Sequence, residues 1–124
     1  HLIHVTCTGY SSPSSAQRLV SHKGWGNKTK VTHAYHMGCY ASLPALRIGH
    51  GFILQENQFS LFNNEEIKNN RIDIVHTELC TLHFNPSLHD PSQIVVQSLF
   101  ADGFIHYSLF DENYYNKVQI VIVS

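Results

Sequence analysis

An α/β layered fold is what the sequence predicts for this chain of 124 residues. Three observations carry the prediction. Short runs rich in β-branched or aromatic residues recur at Leu2–Val5, Ile72–Val75 and Phe104–Phe110, which is the composition of strands. Stretches with helical spacing lie between them, and clusters of Gly, Ser, Pro and Asn separate the two kinds. Strands that alternate with helices pack as layers of both.

In chain order, His1 to Thr6 is a strand, mostly buried because Leu2, Ile3 and Val5 do not alternate cleanly with polar residues. Thr8 to Ser15, rich in Ser, Gly and Pro, is a loop. Ser14 or Ser15 caps a short helix from Ala16 to about His22, with Leu19 and Val20 inward, and Gly24-Trp25-Gly26-Asn27 ends it. Lys30 to Tyr35 is a second strand, broken at Gly38. A longer helix falls within Cys39 to Gln55, where Leu43, Leu46, Ile53 and Leu54 share one helical face. Pro44 is tolerated only in a first turn, so regular helix starts near Leu43, with Cys39 to Ser42 as its lead-in. Asn57 to Asn70 is polar, holds five Asn and is expected to be a surface excursion. Ile72 to Val75 is a strand, Pro86 to Pro91 a loop, Ser92 to Phe100 a helix and Asp102-Gly103 a tight turn. Phe104 to Phe110 alternates as a strand, Asp111 to Asn116 is a polar turn, and Val118 to Val123 is a last strand. There is no internal repeat and no heptad.

Composition narrows the functional classes. The length allows one domain with a useful core. Lys plus Arg is 8 and Asp plus Glu is 9, so there is no basic excess to neutralise a phosphate backbone, and nucleic acid is not an expected partner. No apolar run reaches the roughly 18 to 20 residues that span a bilayer, so no membrane is expected either. Cys7, Cys39 and Cys80 are odd in number and widely spaced, a poor disulfide framework that suits a reducing cytoplasmic setting. The apolar runs at both ends, with His1 rather than Met at the start, read as cuts through a larger domain or as terminal strands that pair with each other.

The most informative piece is His36-Met37-Gly38-Cys39-Tyr40-Ala41-Ser42. A strand ends, Gly permits a sharp turn, and a Cys stands just before a helix. That arrangement exposes sulfur at the top of a sheet, beside helix N–H groups and their partial positive charge, which favour the thiolate and could hold an oxyanion. It is the logic of a strand–turn–helix nucleophile. The same pattern also fits a small buried thiol. A second reading takes His33, His36 and Cys39 as zinc ligands, but His33 and His36 point to opposite faces of one strand and no fourth ligand has a matching spacing. Cys7, beside Thr8 and Gly9 at a strand end, stands where α/β folds place ligands, or is a packed thiol near a turn. Cys80 and His83, which follow the Ile72 to Val75 strand, carry the same two readings.

Four segments in order, His1 to Gly9, Gly38-Cys39-Tyr40-Ala41, Val75 to Phe84 around Thr77-Glu78, and Gln97 to Gly103, resemble the chalcone and stilbene synthase family, the type III polyketide synthases of the thiolase-like superfamily. The resemblance implies a partial thiolase-like layered fold, a mixed sheet with helices forming an incomplete half. Residues 1–124 would be one N-terminal-half segment, with 57–70 as a surface insertion.

By position, the resemblance makes Cys39 the cysteine that holds the growing acyl chain as a thioester. Phe100, before Ala101-Asp102-Gly103, matches the gatekeeper between the coenzyme A tunnel and the cavity. Cys7, Thr8, Cys80 and His83 match residues lining the initiation cavity, where a bulky His83 reshapes the space. The substrates implied are acyl-CoA and malonyl-CoA, with no metal or redox cofactor, and the full-length family forms homodimers. The family's cysteine works with a His and an Asn from the second half of the fold, and none of the ten histidines here sits in that motif. The chain by itself is therefore expected to lack condensing activity. Two alternatives stand beside this one: a ketoacyl carrier-protein synthase III-like acyltransferase, and a non-catalytic binding or structural α/β domain in which all three thiols are inert.

Overall fold

The computed structural model describes residues 1–64 and 70–111. Four strands form one mixed sheet: β1 (Leu2–Thr6), β2 (Val31–Tyr35), β3 (Arg71–Glu78) and β4 (Gly103–Phe110), in the order β2-β1-β3-β4. β1 runs parallel to both β2 and β3, while β3 and β4 are antiparallel. Three helices, α1 (Ser15–His22), α2 (Ser42–Phe62) and α3 (Pro91–Leu99), and two short 3-10 turns, Gly38–Tyr40 and Cys80–His83, connect them. The strand proposed at Val118 to Val123 and most of the polar turn before it lie outside the described residues.

The pleat sorts side chains between two faces. Ile3 and Val5 of β1, Ala34 of β2, Ile72 and Ile74 of β3, and Tyr107 and Leu109 of β4 form one face, and α2 covers it with Ala45 and Ile53. The opposite face packs Leu2 against Ala16 and Val20 of α1, with Val31 and Val75 beside them. Ser14 caps α1 as a capping box: its hydroxyl accepts from the Gln17 N–H while the Gln17 side chain accepts from the Ser14 N–H. Of the two residues expected inward on α1, Val20 is buried and Leu19 is exposed. The helix is only eight residues long, and its covered stripe is as narrow as Ala16 and Val20, one turn apart.

α2 keeps half of its expected face: Ile53 is buried and Leu46 packs against the core, whereas Leu43 and Leu54 are exposed, and Ala45, Gly49 and Ser60 complete the buried stripe. Small residues at the contact let the helix axis approach the sheet. A Cβ on Gly49 would stand 2.7 Å from Leu109 Cδ1, so this close approach, rather than leucine packing, sets the seam. The helix also runs on to Phe62, through the opening of the run expected to be a surface excursion. Extending an existing helix is cheap, and Asn57 Nδ2 donates to Asp111 Oδ2 at 2.6 Å, which ties the extension to the end of β4. β3 is longer than the predicted strand and reaches Glu78, paired with β4 through Glu78 and Gly103. α3 begins at Pro91 under an Asp90 cap.

Candidate active site

The three parallel strands end together at Thr6, Tyr35 and Glu78. Carboxyl ends of strands are where open α/β sheets gather ligands. On the α2 side of that edge lies a cavity of about 500 Å³. Strand periodicity builds it. Along β3 the row Ile72, Ile74, His76, Glu78 shares one face, as does Ile105, Tyr107, Leu109 along β4. The lower members of each row are core under α2, and the upper members, His76, Glu78, Ile105 and Tyr107, line the cavity beside Ala41 and Ser42.

Cys39 stands at the mouth of this cavity, exposed. The chain leaves β2 through two residues in the left-handed region, His36 at φ 56° and Gly38 at φ 74°. That is an easy state for Gly and an uncommon one for His. Gly38–Tyr40 forms a 3-10 turn that leads into α2, whose N-terminus has no side-chain cap. The first-turn N–H groups of such a helix have no intrahelical partner. The Gly38 N–H donates to Cys7 Sγ at 3.1 Å, which fastens the turn to the end of β1.

Cys7, Thr8, Cys80 and Phe100 line the same cavity as Cys39. With Cys39 they come from four separate places in the chain, and hydrogen bonds hold them there. The Cys7 N–H donates to both Glu78 carboxylate oxygens, at 2.9 and 3.2 Å. The Leu79 N–H donates to Thr8 Oγ1 at 2.8 Å, and Thr81 donates to the Asp102 carboxylate through both its N–H and its hydroxyl. Phe100 and Cys80 also line a smaller cavity of about 60 Å³, with Phe84 and Val96. His83 is placed differently. It does not line the cavity of Cys39; its Nε2–H donates to the Thr8 carbonyl at 2.9 Å from the exposed side. The 3-10 turn Cys80–His83 turns its ring away from the cavity that its neighbour Cys80 faces.

Charges sort the groups. Burial first, then the Glu78 carboxylate, Asp102 and Cys39, push the Cys80 thiol above its ordinary value, so Cys80 stays a thiol. Burial lowers the His76 pKa against the opposing pull of Glu78, and it raises that of Tyr107. Both are therefore neutral near pH 7. His76 Nε2 and Tyr107 Oη lie 3.0 Å apart with their rings stacked. Neither residue is singled out by sequence reasoning that ends the strand at Val75. The signal was the alternation itself, which carries the apolar row Ile72, Ile74 on into polar residues.

His33, one of the three residues weighed as zinc ligands, is bonded through Nε2 to Ser14 Oγ at 2.7 Å. Among the described residues no three His, Cys, Asp or Glu side chains gather as a metal site. A separate cavity of about 210 Å³ opens on the α1 face of the sheet, where buried His4 bonds Tyr35 Oη and Thr77 Oγ1, each at 2.7 Å. No helix of the described residues is long and apolar enough to cross a membrane.

No family model matches the chain. It is 31% identical over 107 residues to the probable polyketide synthase 1 of Dictyostelium discoideum, covering 86% of this chain and 3% of that protein. It is 26% identical over 102 residues to the 1,3,6,8-tetrahydroxynaphthalene synthase of Streptomyces coelicolor, covering 82% of this chain and 24% of that one. Among solved structures, the C-terminal type III polyketide synthase domain of Steely1, a type I/III hybrid from Dictyostelium, superposes with a TM-score of 0.68 at 30% identity, over 87% of this chain and 26% of that chain. The Streptomyces tetrahydroxynaphthalene synthase structure shares the fold, with a TM-score of 0.71 at 24% identity, over 88% of this chain and 28% of that chain. The chain thus spans about a quarter of the solved relatives' length.

Proposed function

From the premise that this chain is homologous to part of a type III polyketide synthase, we propose that it is the acyl-carrying segment of such an acyltransferase. Cys39 is the group that holds the acyl chain. Its thiolate attacks the carbonyl carbon of an acyl-coenzyme A, coenzyme A leaves as its thiol with the proton that Cys39 gave up, and an acyl thioester remains on Cys39. Sulfur suits this exchange because a thiolate is both a good attacker and a good leaving group. In the complete reaction a second thioester, malonyl-coenzyme A, loses carbon dioxide, and its enolate attacks the acyl group on Cys39.

The observation that carries the reading is the cavity in which Cys39, Cys7, Thr8, Cys80 and Phe100 meet at the carboxyl edge of the sheet. These residues were expected to act together, and they are far apart in the chain. Phe100, which lines both cavities, is consistent with a gate, and His83 acts on the site through the Thr8 backbone. Acyl loading is the step assigned to these residues, and condensation would call on the family's His and Asn, which belong to the second half of its fold.

The test is acyl transfer followed by mass spectrometry. Incubation of the chain with a short acyl-coenzyme A is expected to add one acyl group to Cys39, removable by hydroxylamine and absent in Cys39→Ala. Acylation at Cys7 or Cys80, or no acylation, would remove the proposal.

A further inference from the structure

The cavity of about 210 Å³ on the α1 face of the sheet shares, among the described residues, only Thr8 with the Cys39 cavity. β2, β1 and β3 lend Tyr35, His4 and Thr77 to its wall. Tyr35 Oη lies 2.7 Å from His4 Nδ1, and Thr77 Oγ1 lies 2.7 Å from His4 Nε2. Burial, with His33 and His76 nearby, lowers the His4 pKa against the pull of Glu78, so the ring is neutral near pH 7. Each of the three side chains then brings one exchangeable proton, and two of these protons fill the two bonds. With the ring proton on Nε2, the third is that of the Thr77 hydroxyl; with it on Nδ1, the third is that of the Tyr35 hydroxyl. Neither hydroxyl has another partner among the described residues. One end of the chain therefore donates while the other accepts, and a change of tautomer exchanges the ends.

We propose that this cavity is a second ligand site, which takes a small neutral phenol. A phenol hydroxyl donates and accepts at once, as the two ends of the chain require. Thr6, Ser11 and Ser15 add hydroxyls around them, and Leu79 and Leu82 add apolar surface. Tyr10, in the same wall, is 74% exposed, and its ring meets that of Tyr35 edge-on with centroids 6.1 Å apart. A flat ring seated against that pair gains an aromatic contact that a saturated ring does not. Among the described residues no Lys, Arg, Asp or Glu lines the cavity, so a charged ligand would lose its water there without gaining a partner. The volume falls below the roughly 300–1,000 Å³ of sites for drug-sized molecules, which fits a single substituted ring. The site does not depend on the acyl-carrying role of Cys39.

The test is an NMR titration of the full chain with three probes: resorcinol, its dimethyl ether and its saturated analogue cyclohexanediol. Resorcinol is expected to shift the signals of Tyr35, Thr77, Gly9 and Ser11, which border this cavity and not that of Cys39. The dimethyl ether, which keeps the ring and cannot donate, should bind about five-fold more weakly, the worth of one net hydrogen bond. Cyclohexanediol, which keeps the hydroxyls and loses the flat ring, should also bind about five-fold more weakly. In the double variant Tyr35→Phe with Thr77→Val, which removes both ends of the chain, resorcinol should lose its advantage over the ether. Equal binding of the three probes to the unaltered chain, a measurement that needs no variant, overturns the proposal. So does the absence of any response, or a response confined to Ala41, Ser42 and Gly103 of the Cys39 cavity. A resorcinol preference that survives in the double variant overturns it as well. None of these results bears on whether Cys39 takes an acyl group, which the acylation experiment decides separately.

Discussion

The Gly38 amide points at the Cys7 sulfur, 3.1 Å away, so two residues 31 positions apart hold the Cys39 turn against the end of β1. Replacing Cys7 by Ala removes the acceptor. The Gly38 amide is then expected to exchange its hydrogen faster than in the unaltered chain, with a loss of about 0.5–1 kcal/mol in stability, the range of a modest hydrogen bond. Cys7→Ser, which restores an acceptor, should recover part of the protection. Equal exchange at Gly38 in all three chains, measured by NMR, would contradict the tie.

Gly38 itself is required for its backbone. Its φ is 74°, and a Cβ added there meets no atom within 4 Å. Gly38→Ala should therefore cost about 1–2 kcal/mol through the left-handed conformation alone, read as a lower urea midpoint with an unchanged slope. A neutral result would show that the turn can be made another way.

Two glycines of α2 are expected to respond differently to the same change. At Gly51 an added Cβ meets open space, so Gly51→Ala should stabilise by up to about 1 kcal/mol from helix propensity. At Gly49 the added Cβ falls 2.7 Å from Leu109 Cδ1, with Ile72 and Ile3 close behind. Leu109 must leave its place in a packed core, and Gly49→Ala should end about 1–3 kcal/mol less stable than Gly51→Ala. Chemical denaturation of the two variants side by side decides it; equal midpoints would mean that the helix seats loosely.

Acid should destabilise the fold through His4 and His76. Burial lowers both pKa values below the ordinary 6.5; His33 and His76 add to the shift of His4, while Glu78 opposes it in each case. The unfolded chain takes up protons near pH 6.5 while the folded chain still refuses them. The stability these residues contribute is thus complete above about pH 6.5 and is lost as pH falls from there toward their folded values. Asp73 acts in the same direction at lower pH, because its bonds to Ser108, Arg71 and His106 outweigh burial and hold its carboxyl below 3.8. Urea midpoints recorded from pH 8 to pH 5 should decline below pH 6.5, and less steeply in His76→Phe. A flat profile would show that the two rings protonate freely in the folded state.

Much of the architecture was legible in the order of residues. Alternation and β-branching marked four strands, Ser14 and Gly24 bounded the first helix, and Pro44 dated the start of the second. The strand–Gly–Cys–helix run placed Cys39 at a turn before α2 because local backbone preference governs such a turn. Less legible was the seam of α2. Apolar residues at helical spacing marked Leu46 and Ile53 correctly, but the seam turned toward Ala45 and Gly49, where the helix comes close to Leu109 and Ile72.

What the sequence determined by itself is local: where the chain extends, coils and turns, and that a thiol follows a glycine at the head of a helix. Tertiary structure alone decided which residues share the cavity with that thiol. Pairing β3 with β4 from Glu78 to Gly103 brought His76 and Tyr107 side by side and left His83 outside. Register is a property of two strands at once, set by how rows of side chains fill the space under α2, and a single strand's sequence carries only one of the two rows.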